Sequence, residues 1–539
     1  MDLLVPDVRV AKISPQFLDN TGRFTSPLSG SGRSIARPGD RWSFQLDYQN
    51  LLGVDRARLE AFIGYMRGAA NRALYSPGDY VQRGVFPSGE LFANNNFAQS
   101  SLGSTWGTEG AGNSIIWMDR MIRAVRNQYD GTINGLVAPK NIGSLTLTAF
   151  LPYLIRFSVL PGRGNPNGVV MYNDNSADGY VGSYGGVPPW LTAKTNAFGM
   201  LSGVRVPVVT GLYNFGVYPS VFSGGMAGDY YDVTWSSCAQ CFLVDNGANM
   251  LLWSDDFTQT AWGKTNATVS LSAAYAPDGT LTADSLVETS ATGGHLTQQA
   301  VTIPSGVEDI CFTVTANSAT RTWLTVQLNE SIGNTALFAF FNTATGAVGS
   351  TGVGTNWSSL RTFSQYLGNG WYQLTIVGRK TNAATGVTAT LVLGINSTTN
   401  SYAGTTGNGL QIWRATVALS SVPVRLVQST STGVPAALQT GNAIYVKGLP
   451  VSTNQLLLPG DWIEINSELK RITNALNSDG NGLGYLVFTP PIRNSPNDND
   501  PVVVNSPMGR FLLKTPATGW ASVPLYFASS SLVLEESPT

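Results

Sequence analysis

The sequence predicts an all-β fold: a discontinuous β-barrel or sandwich hub domain with one α-helix, carrying two inserted jelly-roll-like β-sandwich modules. Three observations predict it. Short alternating stretches between Gly, Asn, Ser and Thr turns fill most of the chain, without strand–helix alternation. Only residues 54–67 show a clear helical stripe. A pair of similar segments recurs in the middle of the chain, and such repeats organise a fold.

Near the N-terminus, Trp42, Phe44, Leu46 and Tyr48 alternate with Ser43, Gln45, Asp47 and Gln49, the period of a half-buried strand. The helix follows. Leu59, Phe62, Ile63 and Met66 make its apolar stripe, Asp55 is placed to cap its start, and Arg67 and Gly68 mark its end. Further strands are expected at Thr313-Val-Thr-Ala316, Trp323-Leu-Thr-Val-Gln-Leu328, Tyr372-Gln-Leu-Thr-Ile-Val377 and Thr388-Ala-Thr-Leu-Val-Leu393. Near the C-terminus, Asp461-Trp-Ile-Glu-Ile-Asn466 and Gly484-Tyr-Leu-Val-Phe-Thr489 are strand-like. Asn477-Ser-Asp-Gly-Asn-Gly482 between them is a hairpin signal.

The repeat sets the expected domains. Leu91-Phe-Ala-Asn-Asn-Asn-Phe97-Ala-Gln99 aligns with Leu251-Leu-Trp-Ser-Asp-Asp-Phe257-Thr-Gln259, and a tryptophan follows each, Trp106 and Trp262. Asp232-Val-Thr-Trp235 and Leu410-Gln-Ile-Trp413 close the two copies. Modules at 88–247 and 248–428 follow. The flanks, 1–87 and 440–539, are each small for independent folding, so together they are expected to form the hub into which the modules are inserted.

Composition removes several functions. Charged residues are 12% of the 539, Lys+Arg number 32 and Asp+Glu 33, and no basic run exists, so phosphate-driven binding to nucleic acid is not expected. With 43% hydrophobic residues the chain is not of disordered type. Met1-Asp-Leu-Leu-Val-Pro-Asp7 lacks the pattern of a secretory signal, and the longest apolar stretch, 145–160, is interrupted by Pro152 and Arg156, so no membrane span is expected. Three cysteines give no disulfide framework. A neutral, Gly-rich, polar-uncharged surface suits symmetric assembly.

Two resemblances carry the functional expectation. Asn249-Met-Leu-Leu-Trp-Ser-Asp-Asp-Phe257, Ala261-Trp262, Ala276-Pro-Asp-Gly-Thr280, Ala283-Asp284, His295-Leu-Thr-Gln-Gln299, Gly368-Asn-Gly-Trp-Tyr372 and Gln411-Ile-Trp413 resemble a phage-tail β-sandwich of carbohydrate-binding type. Arg37-Pro-Gly-Asp-Arg-Trp-Ser-Phe44, the helix running into Arg67-Gly68, Asn71-Arg72, Pro459-Gly-Asp-Trp-Ile-Glu-Ile465 and Phe488-Thr-Pro-Pro-Ile-Arg493 look like the distal tail protein (tail hub) of long-tailed, siphovirus-like bacteriophages. That resemblance implies a virion structural protein made in the host cytoplasm and placed at the phage tail tip. It would be a ring homo-oligomer, commonly a hexamer, between the tail tube protein and the tail tip or baseplate proteins. Its modules would contact host cell-surface glycan. The middle of the first module, 119–211, matches nothing in the family.

Catalytic and metal chemistry is weakly signalled. Cys238-Ala-Gln-Cys241 lacks two further soft ligands nearby and a helix to open, so two buried small residues are expected. His295 is the one histidine, without a nucleophile elbow, and reads as structural or as a polar contact at the module edge. Asp255-Asp256 and Glu535-Glu536 are neighbours that a strand would point to opposite faces, unlike a glycosidase pair. Asp174-Asn-Ser-Ala-Asp178-Gly179 starts like a calcium loop, but Gly185 stands where the bidentate Glu belongs. No enzyme, cofactor or metal is therefore expected. For carbohydrate binding the candidates are Trp357, Trp262, Asp256 and His295, with Trp357 in the loop-like Gly354-Thr-Asn-Trp-Ser-Ser359 as the exposed ring, and Trp371 and Trp413 as core. Rival readings are a receptor-binding tail fibre or tip protein, for which no heptad run appears, and a tail-associated glycan depolymerase.

Overall fold

Alternation at period two governs the molecule, which is all-β with one helix among the described residues, as expected. The computed structural model describes residues 2–92 except 26, 28, 30, 36–38 and 78–80. It describes 106–107, 113–117, 121–126, 140–141, 145–160, 162, 169–175, 199–207 and 210–219, and then 230–537 except 334, 515–520 and 524–526. Residues 93–99 of the first repeat copy, Arg37 and Pro38, and residues 176–180 of the calcium-like loop lie outside the described residues.

Both ends of the chain meet in one seven-stranded sheet. Its order is Asp2–Leu4, Arg72–Tyr75, Gly509–Leu513, Phe527–Glu536, Arg41–Leu51 and Lys12–Leu18, with Ala521–Val523 paired to Phe527–Glu536. In the Arg41–Leu51 strand, Trp42, Phe44, Leu46 and Tyr48 are all buried, while Gln49 is exposed. The helix Gly53–Met66 packs Leu59, Phe62 and Met66 into the same core, with Ile63 half-buried against it. Its ends differ from expectation. The helix starts one residue earlier, Leu52 occupies the cap without a side-chain bond, and Asp55 sits inside the first turn, where its charge favours the helix dipole instead. Arg67 leaves the helix in the left-handed region at φ 46°, so no basic residue lies in the last turn. Asn71 closes that end, its Nδ2 donating to Tyr65 O (2.6 Å) and its N–H to Met66 O (3.2 Å).

A closed six-stranded antiparallel barrel stands beside this sheet, running Phe242–Val244, Gly441–Lys447, Gly484–Ile492, Glu468–Ile472, Trp462–Ile465 and Pro501–Val503. Phe242–Val244 lies inside the span 88–247 yet pairs with Gly441–Lys447 and Pro501–Val503, so it belongs to the barrel and to neither sandwich. The Asn-Gly-rich stretch 477–482 is the connection between the paired strands Glu468–Ile472 and Gly484–Ile492. Asp479 Oδ1 accepts from the N–H groups of Asn481 and Leu483 there, both at 2.9 Å. Gly482, at φ 72°, has Leu449 O where a β-carbon would stand.

The first sandwich joins a sheet ordered Leu145–Leu147, Gly211–Pro219, Lys140–Asn141 and Trp106–Gly107, with Val169–Asn175 on Gly211–Pro219, to one ordered Gly199–Arg205, Tyr153–Leu160, Tyr230–Gln240, Ile122–Arg126 and Asn113–Trp117. The second is two six-stranded sheets. Sheet one runs Gly263–Thr265, Leu296–Thr302, Gly386–Gly394, Trp323–Glu330, Ala336–Asn342 and Val348–Val353. Sheet two runs Ala267–Ala274, Ala283–Glu288, Gly409–Leu419, Glu308–Asn317, Trp371–Lys380 and Trp357–Gly368. The core between them holds Phe312, Val326, Leu337, Ile376, Leu391 and Val417, each at most 1% exposed.

Candidate functional site

The four sequence candidates do not form a surface. Trp357 opens a strand of sheet two and packs into the core at 4% exposure, its Nε1 donating to Thr335 O (3.3 Å). The expectation of an exposed ring is corrected: the preceding turn folds the indole inward, where its large apolar area is removed from water. Trp262 is 1% exposed, 4.7 Å from the Phe257 ring, with Nε1 donating to Trp253 O (3.0 Å). His295 is fully buried, its Nδ1 2.7 Å from Asn266 O and its ring 4.8 Å from that of Tyr402. Asp256 closes a local turn, accepting from Thr258 N (3.0 Å) and Gln259 Nε2 (2.7 Å), and these bonds hold its carboxyl low against the opposing effect of burial. Asp255 faces elsewhere and pairs with Arg414 (2.8 Å). Trp371 and Trp413 are core, at 2% and 5% exposure.

The other chemistry-bearing groups are structural too. Cys238 and Cys241 are buried, and burial pushes both thiols up, so neither is a ready thiolate. Glu535 pairs with Arg41 and Lys514, whereas Glu536 turns inward to Arg493 and accepts from the N–H groups of Leu469 (2.8 Å) and Trp42 (3.2 Å). Among the described residues no group of three or more His, Cys, Asp or Glu is placed to hold a metal ion. A cavity of about 270 Å³ lies where the two sandwiches meet the barrel, walled by Val204, Leu243, Glu308, Arg379 and Asp500 among others. Burial raises the carboxyls of Glu308 and Asp500 there, with Asp309 and Asp498 adding to the effect.

The second sandwich has two outer faces, and among the described residues only that of sheet two is built over across its width. On sheet two, Cys311, Phe363, Val377 and Ala418 are covered by Val424 and Ala248, Trp371 and Trp413 pack with Ala276 and Ala283, and Gln365 meets Asn481 of the barrel (2.9 Å). Arg361 of the same face reaches the first sandwich, donating to Phe150 O (2.8 Å), and burial lowers its guanidinium to about 10.

Sheet one is different. Its inward positions fill the core, so the alternate positions face out, and cross-strand pairing lines them up in rows. One row is Gln298, Thr390, Gln327, Phe338 and Gly352; the next is Ala300, Thr388, Asn329 and Ala336. On the far side lie Leu296, Val392, Thr325 and Phe340, then Gly394, Trp323 and Asn342. The second pair of rows carries its own wall. Asn400 Nδ2 donates to Thr325 Oγ1 (3.3 Å) and Ser350 N to Ser397 O (2.8 Å), so residues 395–403 lie across it.

The first pair of rows stays open, with Gln298, Gln327, Asn329 and Phe338 half-exposed. Gln327 Nε2 donates to Asn329 Oδ1 (2.6 Å) and Asn329 Nδ2 to Thr390 Oγ1 (3.3 Å), which fixes a ladder of amides and hydroxyl beside the Phe338 ring. That ring lies over Gly352, where a β-carbon would stand 2.3 Å from it. A flat apolar ring, fixed amides and a wall make a shelf for a ligand with apolar faces and a hydroxyl rim.

Sequence reasoning missed this shelf. The alternation of Trp323, Thr325, Gln327 and Asn329 is visible in the sequence, but nothing in one strand says which of two sheets is covered.

Asp284 anchors the turns at the sandwich edge, accepting from Phe257 N (2.8 Å) and Ser272 N (2.9 Å) while fully buried. Burial, with Asp256 and Asp255 nearby, raises its carboxyl to about 6. The folded form thus keeps its proton to higher pH than the unfolded chain. The contribution of Asp284 to stability is therefore greatest below the ordinary value of 3.8 and falls as pH rises to about 6. The stability of the parent relative to Asp284→Asn, read from thermal melts on either side of that window, is expected to fall as pH rises through it.

No family model and no curated protein matches the chain. Among solved structures it is similar to the N-terminal CBM22-1–CBM22-2 tandem domain of Paenibacillus barcinonensis Xyn10C. The similarity is at 9% identity and a TM-score of 0.21, over 63% of this chain and 100% of that one.

Proposed function

We propose that the protein is a structural component of a bacteriophage virion, the distal tail ring between tail tube and tail tip, whose second sandwich touches host surface glycans through its open sheet face. The observation that carries this reading is the seven-stranded sheet in which strands from 2–75 and 509–536 interleave, so that the sandwiches hang from a body built by both ends of the chain. The sequence resemblance of those same ends to tail hub proteins supports the ring. The shelf of Phe338, Gln327, Asn329 and Gln298 supports glycan contact. A ring of several copies turns weak single-site binding into avidity by factors of about 10²–10⁴ when the geometry lets several sites engage.

Light scattering and class-averaged electron microscopy of the full chain test it. A six-fold ring with peripheral lobes is the expected result. An elongated trimer replaces the ring with a fibre, and a monomer that stays monomeric beside purified tail tubes overturns the proposal.

A further inference from the structure

The six strands of sheet one carry only two charged residues, Lys264 and Glu330, and neither faces the shelf. Lys264 takes the inward parity and spends its ammonium on Thr258 O and Gln259 O, both at 2.8 Å. Glu330 is 1% exposed, accepting from Asn356 Nδ2 and Ile332 N, each at 2.6 Å. All four rows of outward positions are therefore amide, hydroxyl, aliphatic, aromatic or glycine.

A phosphate- or carboxylate-bearing polymer brought onto this face would lose water from its charges and gain no counter-charge, which is costly. An uncharged sugar loses only hydroxyl hydration, and the half-exposed amides of Gln298, Gln327 and Asn329 can restore it as donors and acceptors. The Phe338 ring supplies the apolar surface for a sugar C–H face.

We propose that the open face of the second sandwich selects neutral glycans, polymers of uncharged hexose or N-acetylhexosamine, and rejects anionic cell-surface polymers. This rests on the glycan-contact reading above and names its substrate class.

The test uses the full chain and two probe sets: neutral oligosaccharides (a glucan series and an N-acetylglucosamine series) and a polyol-phosphate polymer. Binding is measured at low and at high NaCl. Neutral ligand is expected to bind with an affinity that changes less than about twofold with salt, because no charge pair is screened. Phe338→Ala and, separately, Gln327→Ala are expected to weaken it about tenfold while leaving the melting curve unchanged. Binding of the phosphate polymer alone, weakening steeply with salt, overturns the selectivity but leaves glycan contact standing. No binding to either set overturns both. Neutral binding that ignores both substitutions overturns the placement on this face.

Discussion

Replacing Trp262 with alanine is expected to destabilise the second sandwich by about 3–5 kcal/mol, the usual cost of deleting a buried tryptophan. The indole is 1% exposed, lies 4.7 Å from Phe257, and donates its Nε1–H to Trp253 O. Its loss leaves a cavity at the sandwich edge and takes one of two donors from Trp253 O, which keeps the Asp256 N–H (3.2 Å), and a close-packed interior fills such a gap only in part. For a sandwich of this size the shift in Tm is about 10 °C. Trp262→Phe keeps most of the apolar volume and is expected to cost less. Phe338→Ala, on the outer face, is expected to stay within about 1 kcal/mol of the parent. The contrast separates a core ring from a ligand-contacting one. A Trp262→Ala protein that melts normally and loses glycan binding would return that ring to the binding surface.

The same contrast explains what the sequence could show. Period-two alternation located the strand of Trp42, Phe44, Leu46 and Tyr48, and the four strands expected in the second sandwich all lie within strands of its two sheets. The helix followed from its apolar stripe. Its caps did not, because the exposed Leu52 starts the helix without a capping side chain and the chain leaves it at Arg67 through the left-handed region, neither of which an apolar stripe records. The binding candidates were chosen by residue type, which favours tryptophans. In a sandwich with this many large rings most are spent on the core, and Trp357 in a loop-like context is one of them. Conversely, Phe338 and the amides of Gln327 and Asn329 sit in strands that look like ordinary sheet. What sets them apart is that sheet two is covered by 248, 424 and the barrel, a contact between segments far apart in sequence.

Arg156→Met is expected to loosen the first sandwich from the barrel at a cost of about 3–5 kcal/mol, because it strips one partner from a buried ion pair. The guanidinium, 3% exposed, bonds Glu464 Oε2 (3.2 Å), Asn505 O (2.9 Å) and Ser506 O (3.1 Å), so one side chain of the Tyr153–Leu160 strand grips both the barrel wall and the loop beyond it. Burial works against both charges, raising the Glu464 carboxyl and lowering the Arg156 guanidinium, and the opposite charge of each offsets part of that. With Arg156 gone, Glu464 keeps the Met508 N–H (2.8 Å) and the weaker pull of Arg510 but loses its main counter-charge. It then favours the protonated form more strongly still, so the penalty should be largest at neutral pH and shrink on acidification. A double-mutant cycle with Glu464→Gln checks the cause. If the stranded carboxylate carries the cost, the pair Arg156→Met/Glu464→Gln recovers a large part of it and loses the pH dependence. If the two single changes simply add, the carboxylate was not the source. The loss would then belong to the guanidinium's two carbonyl bonds and its packing over Trp235, 5.0 Å away.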